Sequence, residues 1–193
     1  MKQLKIALDC DDVIVPTAPL ILRNYNATYG TKIGLKDFYT NDRTPWGTDD
    51  ATAVKRVEAY LMSDEYQQVE PFLEGIEVIR QLGGHHELHI VTGRPGILAK
   101  ATEDMLEKYF PSIFHSIEFT HFFGPNPRSK ATVCQDLGID LLVDDHLHHA
   151  QVVAACGIDA LLFGNYPWNK TDSLPPRIRR VNGWHDVAQL LLP

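Results

Sequence analysis

A short apolar run near the start stops abruptly at acids: Leu4-Lys5-Ile6-Ala7-Leu8 leads straight into Asp9-Cys10-Asp11-Asp12. Apolar residues that end this way read as a buried strand reaching the carboxyl edge of a parallel sheet. Open α/β proteins place their chemistry at that edge. Crowded carboxylates are unfavourable unless something positive binds them. The segment therefore calls for a divalent cation.

The rest of the chain alternates in the same style. Strands read at about 4–9, 87–92, 116–121, 140–144 and 158–163. Helical patterns read at about 17–29, 50–62, 74–82, 97–109, 130–137, 147–156 and 184–191. This alternation implies an α/β fold, a parallel sheet with helices on both faces. The punctuation at 165–176, with Asn-Tyr-Pro-Trp-Asn-Lys and then Leu-Pro-Pro, reads as a surface loop before the last helix.

One spacing is abnormal. A crossover between parallel strands needs about 12 residues or a little more, yet roughly 75 separate the first strand from Glu87. Only the helix near 74–82 is required for that crossover. The surplus, residues 16–71, is mostly helical and leaves and re-enters at the acidic edge. The expected organisation is a core of residues 1–15 and 72–193 with a small helical cap, 16–71, above the site.

Composition limits the partners. A formal charge of −7 argues against binding a nucleic acid polymer through its phosphates. Small anions stay open, because a bound metal reverses the field locally. Cys10, Cys134 and Cys156 form no CxxC pair, so no disulfide framework is expected and a reducing cytoplasm fits. No stretch approaches the roughly 20 apolar residues of a membrane helix. The first apolar run is too short, and too soon acidic, for a signal peptide.

Three more segments end at the same edge. Leu88-His89-Ile90-Val91-Thr92-Gly93-Arg94-Pro95 finishes in a hydroxyl, a glycine and an arginine. A hydroxyl with free backbone N–H groups suits a phosphate oxygen. Arg94 either helps hold a phosphate or pairs with an acid. Lys130 opens a helix after Pro127-Arg128-Ser129 and can reach a phosphate as a point charge. Leu141-Leu142-Val143-Asp144-Asp145 is a second apolar strand ending in paired acids. Oxygen-only ligands favour Mg²⁺ over Zn²⁺. Taken singly these signals are ordinary: a strand-end Asp caps helices, Thr closes turns, and Lys is solvated. Their order along one chain is what carries information.

That order resembles the haloacid dehalogenase (HAD) superfamily of phosphohydrolases over nearly the whole chain. Asp9, Asp11 and Val13 match its DxDx[TV] motif, Thr92 its second, Lys130 its third, and Asp144-Asp145 its acidic fourth. Lys100 and Lys108 are rivals for the third; Lys130 is preferred because it follows the Phe123-Gly-Pro-Asn-Pro loop and shortly precedes the fourth strand. Asp12 stands where glycine is common. The insertion is similar to the caps called C1, and the Thr-Gly-Arg-Pro and Val-Asp-Asp contexts look like the 5'(3')-deoxyribonucleotidase family. The resemblance implies a HAD-like, Rossmann-like core and a Mg²⁺-dependent hydrolase of phosphomonoesters.

It also implies roles. Asp9 would be the nucleophile that forms an aspartyl-phosphate. Asp11 would protonate the leaving group and then activate water, which requires a raised pKa. Mg²⁺ would be held by the Asp9 carboxylate, the Asp11 main-chain carbonyl and Asp144, with Asp145 orienting the shell from behind. Thr92, Gly93 and Lys130 would hold the phosphate oxygens.

Selectivity would then lie in the insertion, where Phe38, Tyr39 and Trp46 stand near Asn41, Asp42 and Arg43. Aromatic faces with polar neighbours suit a flat base, so a small phosphorylated substrate, a nucleoside monophosphate, is expected. The same aromatics also suit cap packing. His146, His148 and His149 lie at a helix start, where diverging rings disfavour a zinc site, although His146 can line the site mouth. Two other classes stay open: a phospho-acceptor receiver module and a HAD-like chain that only binds its ligand.

Overall fold

The computed structural model describes residues 2–40, 42–120 and 128–193. Strand β1 (Lys5–Leu8) is followed by the helices α1 (Thr17–Tyr29), α2 (Asp50–Leu61) and α3 (Asp64–Gln67). Helix α4 (Leu73–His85) then leads to β2 (Glu87–Thr92), and α5 (Ala99–Tyr109) to β3 (Phe114–Phe119). Helix α6 (Lys130–Leu137) leads to β4 (Leu141–Asp144), and α7 (Leu147–Ala155) to β5 (Asp159–Phe163). Strand β6 (Ile178–Val181) and α8 (Trp184–Leu191) follow.

All strand pairings are parallel, in the order β3-β2-β1-β4-β5-β6. The sheet is covered on both faces, as the two-residue period of its strands shows. Ile6 and Leu8 join one core with Leu88, Ile90, Phe110, Val143 and Trp184. Ala7 points the other way, into a second core with Val91, Val133, Leu142 and Val153. Helix ends follow local chemistry. Ser129 accepts a bond from the Thr132 N–H and starts α6; Gly138, at φ +66°, ends it.

Trp184 fixes the loop after β1. It is fully buried, and its indole N–H donates to the Val13 carbonyl at 3.0 Å. Gly75 on α4 makes room for it: a Cβ there would lie 2.6 Å from the indole nitrogen. The first motif is thus clamped from below by the last helix.

Most expected elements stand within two residues of their anticipated bounds. Two were missed. Strand β6 reads Ile-Arg-Arg-Val, and its central arginines hid a strand whose ends, Ile178 and Val181, are buried. Helix α3 is a single turn begun by Ser63, too short for periodicity to reveal. The 165–176 segment is not simply a surface loop, because Asn169 within it is fully buried. Asn41 and the Phe123-Gly-Pro-Asn-Pro loop lie outside the described residues.

Candidate active site

Strand order reverses between β1 and β4, the place where doubly wound sheets leave a crevice beyond their carboxyl ends. Asp9 follows β1 there, and Asp144 closes β4 beside it. Lys130, the first residue of α6, reaches both: its Nζ lies 2.7 Å from Asp9 Oδ2 and 2.6 Å from Asp144 Oδ2. Lys100 and Lys108, the rival lysines, stay exposed on α5, paired with Asp104 and lying over the Tyr109 ring.

Asp9, Asp144 and Asp145 each bring one oxygen into a group whose members all lie within 4.8 Å of one another. Each acid is at most 6% exposed. Burial pushes Asp9 up to about 6, against Lys130 and with help from the Asp144 and Asp11 charges. Burial, reinforced by Asp144 and Asp9, also holds Asp145 well above the carboxylate range. Asp144 falls below that range, since Lys130 and His149 outweigh its burial. Three clustered acids, two of them paired with one ammonium, have the donor set and the charge deficit that a hard divalent cation satisfies.

Asp145 differs from expectation. Its carboxylate belongs to the three-acid group itself, and Trp168 holds its Oδ2 with an indole N–H at 2.6 Å. Asn169 in turn donates to the Asp145 and Phe163 carbonyls, and Arg180 of β6 braces Asn169. Sequence reasoning missed Trp168 and Asn169. The available signal was a tryptophan and an asparagine in a turn just past a strand end.

Asp11 is not a member of this group. Arg94 donates to its Oδ1 from Nε at 3.0 Å and Nη2 at 2.7 Å, and the Thr17 hydroxyl donates to the same oxygen at 2.5 Å. Burial would raise the Asp11 pKa, but Arg94 and these bonds hold it below the usual range. The expected raised pKa is therefore absent, because the guanidinium neutralises the carboxylate. Arg94 itself is 3% exposed and donates also to Thr102 and Tyr66, so it pairs with an acid.

Thr92 is fully buried at the end of β2, and its Oγ1 accepts the Arg94 N–H at 3.2 Å. Gly93 is exposed, with open space where a Cβ would stand. Beside Gly93 and Lys130 opens a cavity of about 450 Å³, lined also by Tyr39, His146, His149 and Val152. The histidine rings do not diverge: His146 and His149 lie 4.9 Å apart at 35°, and His149 approaches Asp144 at 3.3 Å. Tyr39, 55% exposed, sets its ring edge-on to Phe38, His146 and Trp168.

Trp46 is placed differently. It is 3% exposed inside the insertion's own core with Leu22, Tyr25, Ile33 and Ala53. Phe38, half-buried, packs between the Trp46 and Trp168 rings at 6.0 Å from each. Tyr39, not Trp46, is the insertion's aromatic at the cavity.

No family model and no curated protein matches this sequence. Solved structures do match it in three dimensions. A phosphatase candidate from Clostridium difficile superposes with TM-score 0.72 at 16% identity, over 100% of each chain. A candidate HAD hydrolase from Bacillus subtilis bound to magnesium gives 0.64 at 16%, over 98% of this chain and 99% of that one. L-2-haloacid dehalogenase from Xanthobacter autotrophicus, with chloropropionic acid covalently bound, gives 0.63 at 10%, over 98% of each. The chain has the HAD-like α/β fold. These likenesses fix the fold and leave the reaction to the chemistry of the site.

Proposed function

We propose that this chain is a Mg²⁺-dependent phosphomonoester hydrolase working through an aspartyl-phosphate on Asp9. The observation that carries this reading is the group of Asp9, Asp144 and Asp145 at the strand-order reversal, the first two paired with Lys130. Asp9, Asp144, Asp145 and the Asp11 main-chain carbonyl would hold the ion. When bound, Mg²⁺ lets two anions meet and neutralises charge on the transferring group.

The protein's own groups do the rest. Asp9 attacks phosphorus, and its bond forms as the ester oxygen departs. The departing ester oxygen takes its proton from solvent water, and Asp11 serves the second step. Its carboxylate, held ionised by Arg94, suits removal of a proton from the water that cleaves the intermediate. Lys130, the Gly93 N–H and the Thr92 hydroxyl bind the non-bridging oxygens. Residues 16–71 act as the cap, and Tyr39 is its reach into the cavity. The finer reading is a nucleoside monophosphate, as in 5'(3')-deoxyribonucleotidases, with the base beside Tyr39. Aromatic surroundings next to a phosphate site support it.

A magnesium-bound structural neighbour agrees with the cation, and the dehalogenase neighbour supplies the competitor. Halide displacement needs no cation to bring two anions together, whereas the three-acid group calls for one. The test is a turnover screen of nucleoside monophosphates, sugar phosphates and 2-haloacids with and without Mg²⁺. Phosphate release that EDTA abolishes is expected. Metal-independent halide release, with phosphoesters untouched, overturns the proposal.

A further inference from the structure

Among the described residues, Asp11 is gripped on one side. Among them, the three donors that reach its carboxylate, Arg94 Nε, Arg94 Nη2 and the Thr17 hydroxyl, converge on Oδ1. The side chain keeps 31% of its surface exposed, so the grip leaves part of the carboxylate open. Behind the donors stands a residue of the insertion. The Tyr66 hydroxyl, on α3, lies 3.0 Å from both Arg94 Nη2 and Thr17 Oγ1. Tyr66 is 2% exposed and packs with Ile21, Tyr60 and Leu98, the first two from the insertion and the last from the core. The Arg94 guanidinium is further tied by Thr102, which is itself anchored on the Leu98 carbonyl.

This is more hydrogen bonding than neutralising one carboxylate requires. A single bidentate guanidinium would suffice for charge. The added hydroxyls fix direction: a carboxylate with three donors on one oxygen cannot rotate without breaking all three. Proton transfer is sensitive to such aim, because a misplacement of about 1 Å can cost about 10²-fold.

We infer that Tyr66 is a positioning residue for Asp11. Through Arg94 and Thr17 it locks Oδ1 and presents the rest of the carboxylate to the reacting atoms, which makes the insertion part of the proton-transfer apparatus as well as a roof. The inference rests on the reading of Asp11 as the proton-transfer residue. It extends that reading to Tyr66 and Thr17.

Tyr66→Phe in the full chain removes one hydroxyl and keeps the ring. With Mg²⁺ and the best phosphomonoester from the screen, kcat should fall about tenfold with KM within about twofold, the signature of an interaction felt in the transition state. Arg94→Lys keeps the charge but loses the fork and should fall further, about 10²-fold. The decisive arm is the Asp11→Asn background. Residues acting as a unit are non-additive, so Tyr66→Phe should cost nothing more there.

An unchanged kcat in Tyr66→Phe, a rise confined to KM, or an equal loss in the Asp11→Asn background each overturns the positioning role. Full activity of Asp11→Asn overturns the proton-transfer reading itself. If the wild-type chain hydrolyses no phosphomonoester, that reading also fails, and the lock is judged on a crystal structure of Tyr66→Phe/Thr17→Val. A second Asp11 carboxylate conformer is expected there; a single unchanged one overturns the lock.

Discussion

Asp9 and Asp11 stand two residues apart and occupy opposite electrostatic surroundings. On the Asp9 side, three buried carboxylates lie together, and the Lys130 ammonium pairs with two of them, Asp9 and Asp144. On the Asp11 side, one carboxylate meets one guanidinium, and hydroxyls close the network. The first region is short of positive charge and suits an added cation; the second is balanced. A motif that reads as two equal acids thus divides into an ion-seeking half and a self-contained half, and their neighbours set the division.

The largest effect should come from breaking the first half. Asp9→Asn or excess EDTA should lower phosphate release by about 10⁴-fold or more, since a lost nucleophile leaves only binding and orientation. Thermal unfolding sharpens the contrast. Mg²⁺ at about 100 times its Kd adds about 2.7 kcal/mol to a chain that binds it only when folded. That stabilisation should vanish in Asp9→Asn and Asp145→Asn and persist in Asp11→Asn, whose side chain belongs to the balanced half. Loss of the Mg²⁺ response in Asp11→Asn would merge the two halves into one site.

A second contrast lies within the insertion. Tyr39 borders the cavity, while Trp46 lies in the insertion's core. Base stacking on an aromatic ring is worth about 1–3 kcal/mol. Tyr39→Ala should therefore raise KM for a nucleoside monophosphate by about 5- to 150-fold and spare a small generic phosphoester. Trp46→Ala should instead lower stability by about 3–5 kcal/mol, read by denaturant titration, with KM ratios unchanged in the folded fraction. Equal KM changes in Tyr39→Ala for both substrates would remove the nucleotide reading and leave the general phosphatase.

The sequence revealed which residues converge, and it revealed less about which way they face. β1 and β4 are mostly apolar runs that stop at Asp9 and Asp144, and β2 closes with Ile90-Val91 before Thr92, so strand ends and site coincide in the one-dimensional record. The surplus before Glu87 likewise announced, by length alone, the extra helices that stand between β1 and β2. Direction is a property of the third dimension. Arg94 follows a Thr-Gly turn that suits phosphate or acid equally, and only Thr102 and Tyr66, 8 and 28 residues away, decide for Asp11. Trp46 and Tyr39 look alike as aromatics, and burial separates them. Trp168 was hidden for the same reason: its partner Asp145 is 23 residues distant.

The smallest effect tests Asp12, which lies between the two halves and belongs to neither network. Its φ of +55° is a left-handed value that L side chains rarely adopt, although Asn and Asp tolerate it better than most. That explains why glycine suits the position. Its carboxyl earns its place by accepting the Ala18 N–H at 3.1 and 3.3 Å, capping the start of α1 after Pro16. Burial, with the Asp11 charge adding to it, pushes Asp12 from 3.8 up to about 8. A carboxyl raised in the native state keeps its proton while the unfolded chain releases it. Stability therefore falls as pH rises from 3.8, and the loss is complete above about 8. Asparagine tolerates the same φ, offers the same acceptor and does not titrate. Asp12→Asn should gain stability over wild type by an amount that grows between pH 5 and pH 8 and then levels off. Urea titrations in EDTA at pH 5, 7 and 9 measure it. A gain that is the same at all three would mean the asparagine acts through backbone or packing alone, and that Asp12 shares the balanced surroundings of Asp11.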